Sequence, residues 1–166
     1  LRNWCFNLEC QAQQGLKIIR RRKAALAKDE RKQRRVARER IKSRSEWLKD
    51  AQKEFNAYVR ARDAGKPCIS CGRRTGCKMN AGHYKTTAGV KGLRFHPANC
   101  HLQCEKCNMH LSGNIHGYRG PLLAKVGPEM LNYLDNAHPF SGWTIEEIKE
   151  IKAHFHRMAR ELNEKL

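Results

Sequence analysis

Acidic residues are scarce in this sequence: 16 Asp and Glu stand against 34 Lys and Arg in 166 residues, a formal net charge of +18. Such an excess of one sign repels itself unless a polyanion neutralises it, so nucleic acid is the first partner to expect. Long apolar runs are lacking too. No stretch approaches the roughly 18 consecutive apolar residues that a membrane span needs, and no apolar N-terminal run has the form of a secretory signal. A soluble cytosolic protein without a membrane partner fits. No internal repeat is found. At this length one ordinary core with an appended arm is expected, not two large independent cores. The chain begins with Leu1 and not Met, which leaves room for residues upstream.

Cysteine is not scarce, but four of the eight cysteines fall into two Cys-x-x-Cys pairs, a spacing that suits a metal better than disulfides. Cys68 and Cys71 are separated by 32 residues from Cys104 and Cys107. Two such pairs close a tetrahedral zinc site with every position filled by thiolate, leaving no place for substrate. The expected role of zinc is therefore structural, stapling a middle segment of low apolar content. Cys77 and Cys100 lack a partner spacing and read as packing residues.

From Lys17 to Arg44 there are 14 Lys or Arg against three acids, with no Gly or Pro and few apolar residues at helical spacing. A solvated helix is expected. Its one-signed excess favours phosphate contact through Arg20, Arg21, Arg22, Arg31, Arg34, Arg35 and Arg38 over an idle charged face. Ser43-x-x-Glu46 forms a capping box, followed by Trp47, Leu48, Ala51, Phe55, Tyr58 and Val59 on one helical face that ends near Gly65-Lys66-Pro67. Thr144-x-x-Glu147 opens a second amphipathic helix carrying Ile145, Ile148, Ile151, Phe155, Met158 and Leu162. Between Arg119 and Asn136 two short helices are expected, interrupted at Gly127-Pro128. The stretch from Cys68 to Leu102 shows no long helical period and predicts turns and short strands.

His83 lies in Asn80-Ala81-Gly82-His83-Tyr84, where an exposed imidazole of near-neutral pKa could take a proton from water. Asn99 precedes Cys104 by five residues and Asn108 directly follows Cys107, so both are fixed relative to the metal staple. At this point the sequence resembles the HNH, or ββα-metal, nucleases: a histidine on a strand, an intervening Asn, then Cys-x-x-Cys followed by His or Asn opening a helix. It is still more similar to the NinG/Rap recombination endonucleases of lambdoid phages. Pro67-Cys68-Ile69-Ser70-Cys71-Gly72, Ala81-Gly82-His83-Tyr84 with Thr86-Thr87, Leu93-Arg94-Phe95, Gln103-Cys104, Cys107-Asn108, His110 and Ser112-Gly113-Asn114 carry that likeness, from about Trp47 to the C-terminus.

The resemblance implies an α+β fold: a zinc-stapled ββα-metal (HNH-like) core flanked by helices, with a long basic N-terminal helix. It implies a metal-dependent, structure-specific DNA endonuclease acting on branched recombination intermediates such as Holliday junctions and D-loops, in the cytoplasm of a bacterial host. His83 would be the general base, Asn108 would help hold Mg²⁺ or Mn²⁺, and Asn99 would orient the histidine or its strand. Many HNH nucleases place a metal-binding acid just before the histidine; here that position is Gly82. His101, His110, Asn114 and His116 lie near enough in sequence to complete the metal shell, or to contact phosphate or cap the helix. Lys85 and Lys91 join the expected DNA contacts. Cys5 and Cys10 resemble the end of an N-terminal zinc element whose other ligands would lie upstream of Leu1. The expected organisation is residues 1–15 as that partial element, 16–44 as the basic arm, and 45–166 as the nuclease domain, with zinc and active site within 68–116. Branched DNA offers several duplex arms, so a homodimer recognising shape and not base sequence is expected. The alternative is a non-catalytic, zinc-containing nucleic-acid-binding protein, for which charge and staple suffice.

Overall fold

The computed structural model describes residues 7–136 and 140–165 and divides the chain into two units, Leu1–Ser43 and Arg44–Leu166. The first unit holds α1 (Leu8–Arg40), started by Asn7, whose side chain accepts the Glu9 N–H at 2.9 Å. No residue of α1 is buried, as the 12 cations it carries from Lys17 to Arg40 dictate. The helix runs unbroken through residues 15 and 16 and carries Cys10; Cys5 lies outside the described residues.

The second unit is framed by α2 (Arg44–Arg62) and a C-terminal helix, α4 (Ile145–Asn163). Helix α2 starts directly after the Ser43 expected to cap it. The expected box at the start of α4 is formed in full: Thr144 Oγ1 accepts the Glu147 N–H at 3.2 Å and Glu147 Oε2 accepts the Thr144 N–H at 2.7 Å. Trp47, Ala51, Phe55 and Val59 of α2 pack against Ile148 and Phe155 of α4, with the Phe55 and Phe155 rings edge to face at 4.8 Å. Losing Phe55 from this fully buried site would cost about 3–5 kcal/mol. Cross-helix pairs Asp50 with Lys152 and Glu54 with His156 keep one offset of 102 residues, so the two helices run parallel. Parallel neighbours need a long crossover. Everything from residue 63 to 144 is that crossover, and it contains the candidate site.

Within the crossover, β1 (Met79–His83) pairs antiparallel with β2 (Cys100–Cys104), with Met79 opposite Cys104 and His83 opposite Cys100. One face of this pair meets α2: Cys100 and Phe95 belong to the α2–α4 core, with Ala81 packed beside them. Helix α3 (Ile115–Asp135) supplies a second core in which Tyr118, Leu122, Leu131 and Leu134 meet Tyr84 and Leu93. The expected interruption is present at Gly127, whose φ of 81° breaks the helical run just before Pro128. The element begins at Ile115, four residues before the periodicity suggested. The fold is thus α+β, helical in the main, with a small two-stranded sheet.

Candidate functional site

Residues 67–72 form a knuckle in which Cys68 N–H bonds the Arg73 carbonyl and Gly72 N–H bonds the Cys68 carbonyl, with Gly72 at φ +72°. This turn points Cys68 and Cys71 toward Cys104, at the end of β2, and Cys107, in the helical turn that follows. The four Sγ atoms all lie within 4.8 Å of one another, and Cys71 and Cys104 are 3.7 Å apart. A tetrahedral zinc with bonds of about 2.3 Å needs sulfurs about 3.8 Å apart, so the donor set fits one metal ion such as zinc. Burial raises the Cys68 thiol and pushes Cys107 up to about 12. At Cys104 burial is outweighed by hydrogen bonds from the Cys107 backbone and the neighbouring thiols, which bring it down to about 7. Asn114 donates its amide N–H to Cys107 Sγ at 3.4 Å, the kind of bond that stabilises a thiolate. To do so it sits in the left-handed region, in a run of positive φ at Ser112 (48°), Gly113 (87°) and Asn114 (42°). Cys77 packs against this cluster, a proximity its spacing did not reveal.

His83 ends β1 on the face toward α2. It is half-buried, not exposed as its setting in sequence suggested, with its ring 5.8 Å from that of Phe55. Nε2 lies 2.9 Å from the Arg94 carbonyl, which can only accept, so Nε2 carries the proton. Burial lowers the pKa and keeps the ring neutral at pH 7, which makes Nδ1 the basic nitrogen. That nitrogen faces the buried Cys100 thiol at 3.7 Å. Asn99, fully buried, pins the segment after His83: its Oδ1 accepts the Lys85 N–H at 2.8 Å and its Nδ2 donates to the Lys85 and Leu93 carbonyls at 3.0 Å.

Side chains alternate across a strand, so His101, opposite Gly82, projects from the other face. It is buried beside Tyr118, with Nδ1 3.3 Å from the Tyr118 hydroxyl. That hydroxyl spends its proton on the Gly82 carbonyl at 2.9 Å, so His101 Nδ1 donates to it. Burial, then the nearby Lys125 and Arg62, push His101 down to about 3. On this same face Gln103, fully buried, donates its amide to Ser70 Oγ at 2.7 Å and to the Gly113 carbonyl at 2.5 Å, tying the first cysteine loop to the turn after the second. Its Oε1 is a buried acceptor without a partner. A Cβ on residue 82 would fall 2.1 Å from that oxygen. The place of an acid before His83 is therefore taken by the Gln103 amide, and only glycine fits.

Asn108 does not open a long helix. It lies half-buried inside a single helical turn, Lys106–His110, and makes no side-chain hydrogen bond among the described residues. His110 and His116 are exposed. Among the described residues the four cysteines are the only group of three or more His, Cys, Asp or Glu side chains close enough for a metal; His101 is buried and His110 exposed. Lys85 is engaged with Asp135 at 2.9 Å, whereas Lys91 is exposed, as are Arg20, Arg21, Arg22, Arg31, Arg34, Arg35 and Arg38 on α1.

Sequence reasoning missed Asp63. Its carboxylate is 1% exposed and is met by Arg62 at 2.6 Å, Lys66 at 3.0 Å and Lys125 at 3.3 Å, while its Oδ2 accepts the Leu102 N–H of β2 at 3.3 Å. The only sequence signal was the Asp63–Lys66 spacing at the end of a helix.

No helix among the described residues is long and apolar enough to cross a membrane. No solved structure matches the chain. It is 45% identical over 122 residues to Protein ninG of Escherichia phage lambda, covering 74% of this chain and 60% of that protein. Protein ninG of Escherichia phage 933W is 43% identical over 135 residues (81% and 66%), and that of Salmonella phage P22 43% over 124 residues (75% and 61%). The chain thus spans somewhat under two thirds of the length of these relatives. A family model described as Bacteriophage Lambda NinG protein matches residues 3–165, and the chain belongs to that family.

Proposed function

We propose that this chain is a metal-dependent endonuclease that cuts branched DNA, such as Holliday junctions and D-loops, in the cytoplasm of the phage's bacterial host. The observation that carries the reading is His83: a neutral imidazole at the end of a strand that is clamped to a four-thiolate metal centre, in a chain of net charge +18. Zinc at the cysteines holds the frame. His83 takes the proton of the attacking water, Asn99 fixes the segment beside it, and Asn108 helps hold the catalytic cation. That cation, Mg²⁺ or Mn²⁺, supplies positive charge to the scissile phosphate. The arginines of α1 grip phosphates, and a homodimer would present two such surfaces to the arms of a junction.

Nδ1 of His83 is covered by Cys100, and catalytic hydrogen bonds often form only with substrate. The same covering favours a second reading, a non-catalytic zinc-containing nucleic-acid-binding protein. The deciding experiment is cleavage of a labelled four-way junction and a matched linear duplex in Mg²⁺, Mn²⁺ or EDTA, by wild type and His83→Ala. Metal-dependent nicking of the junction that the variant loses, with DNA affinity retained, supports the nuclease. Tight binding without cleavage in any metal supports the binding protein.

A further inference from the structure

A cavity of about 580 Å³ opens between the end of α2, the first cysteine loop, β2 and α3, beside the edge of β2 that does not pair with β1. Asp63, Ser70 and His101 are its buried polar groups, Ile69, Leu102 and Pro121 its apolar walls, and Lys66 and Lys125 its cations. This is the size and make-up of a small-molecule site, mostly apolar with a few convergent polar groups.

Its chemistry narrows the ligand. Lys66 and Lys125 stand over the single Asp63 carboxylate on the solvent side, with Arg62 behind it, so the positive charge gathers at the opening, while the metal-site residues Cys68 and Cys71 line another wall. The two lysines are the outer members, 52% and 37% exposed, and are placed to meet an anion entering from solvent. Farther in, His101 has committed Nδ1 to Tyr118, so its Nε2 is left as a hydrogen-bond acceptor. A ligand that suits the site has an anionic end, a flat apolar body and an N–H on its far edge.

We propose that this cavity holds one unpaired nucleotide, its phosphate on Lys66 and Lys125, its base against Ile69, Leu102 and Pro121, and a ring N–H of the base donating to His101. A base inside a duplex cannot enter, so the cavity would select unpaired or extruded nucleotides such as those at a branch point. The inference rests on the reading of the chain as a nucleic-acid protein, but not on its being a nuclease.

The test titrates the zinc-loaded full chain with thymidine 5′-monophosphate, thymidine and inorganic phosphate, following backbone amide shifts of Ile69, Leu102 and Lys125 by NMR. The expected result is saturable shifts at these residues, strongest with the monophosphate. Pro121→Trp, an exposed position whose new side chain fills the opening, should weaken that binding by about tenfold or more, as should Lys125→Ala. Phosphate binding as tightly as the nucleotide would overturn the base-binding part. Shifts scattered over the surface lysines, or unchanged by Pro121→Trp, would overturn the proposal. Junction cleavage by a wild type that binds no mononucleotide would sink the cavity and leave the nuclease standing. Mononucleotide binding without cleavage in any metal would do the reverse.

Discussion

Replacing Asp63 by Asn tests the electrostatic centre of the crossover. The carboxylate is 1% exposed and accepts two bonds from Arg62, Nη2 at 2.6 Å and Nε at 3.2 Å, besides one from each lysine and one from the Leu102 backbone. Arg62 is itself mostly buried and also donates to the Pro97 and Cys100 carbonyls, so it cannot swing to water when its partner loses charge. Charged hydrogen bonds of this kind contribute about 1.5–3 kcal/mol. The two lysines, exposed to 52% and 37%, add little, on the order of 0.5 kcal/mol each. The Asn amide can keep the Leu102 bond. Asp63→Asn should therefore lower stability by about 3 kcal/mol at pH 7, and Asp63→Ala by about 4, within the range for breaking a buried ion pair. Urea unfolding of zinc-loaded protein would measure this. Hydrogen bonds from Arg62 and Lys66 outweigh burial and hold the Asp63 carboxyl well below its ordinary range, so its contribution is present above pH 3.8 and lost only as pH falls below it. The difference between wild type and Asn should thus persist unchanged at pH 5. A loss under about 1 kcal/mol at pH 7 would refute the argument and mark the cluster as solvated surface.

Gly82→Ala should cost about 1–3 kcal/mol, because the new Cβ meets Gln103 Oε1 at 2.1 Å and Ser70 and Gly113 keep Gln103 from moving aside. Gly15→Ala, inside α1 with nothing within 4 Å, should instead stabilise that helix by about 0.5–1 kcal/mol, and the helical circular-dichroism signal on heating would contrast the pair. Elemental analysis of purified protein should give one zinc per chain, and Cys104→Ser or a strong chelator should abolish it. The NMR signals of residues 68–114 should then broaden while those of the α2–α4 pair persist; an unchanged spectrum would show that the cluster needs no metal. His83 and His101 are both depressed by burial, so their contribution is complete above the unfolded value near 6.5 and is lost as pH falls, for His101 down to about 3. Stability should decline by up to about 1.4 kcal/mol per pH unit for each. Thiolate protonation and zinc loss act in the same direction, so the measurement is the slope of His101→Gln against wild type below pH 6.5. Equal slopes would show that His101 titrates normally.

Periodicity was enough to find the apolar faces of α2 and α4, the break at Gly127 and the capping box at Thr144, because each is a local pattern whose energy is settled within a few residues. The cysteine spacing was enough to find the four thiols that gather and could hold a metal ion, since cysteines at two-residue gaps have few other uses. The cation-rich run from Lys17 to Arg40 had to stay exposed, because so many like charges cannot be buried. Pairwise geometry lies beyond such patterns. Whether His83 is exposed depends on Phe55 of α2 closing over one face of the sheet, and the partners of Gln103 lie 33 and 10 residues away in opposite directions. Asp63 reads in sequence as one more surface acid at a helix end. Its burial follows from Lys125 arriving 62 residues later and from the Leu102 N–H at the edge of β2, which donates to it. The sequence by itself determined which segments are helical, which cysteines gather and what sign of charge the surface carries. Only the tertiary structure decided which face each histidine occupies and where a cavity opens, because those depend on the packing of segments that no local pattern relates.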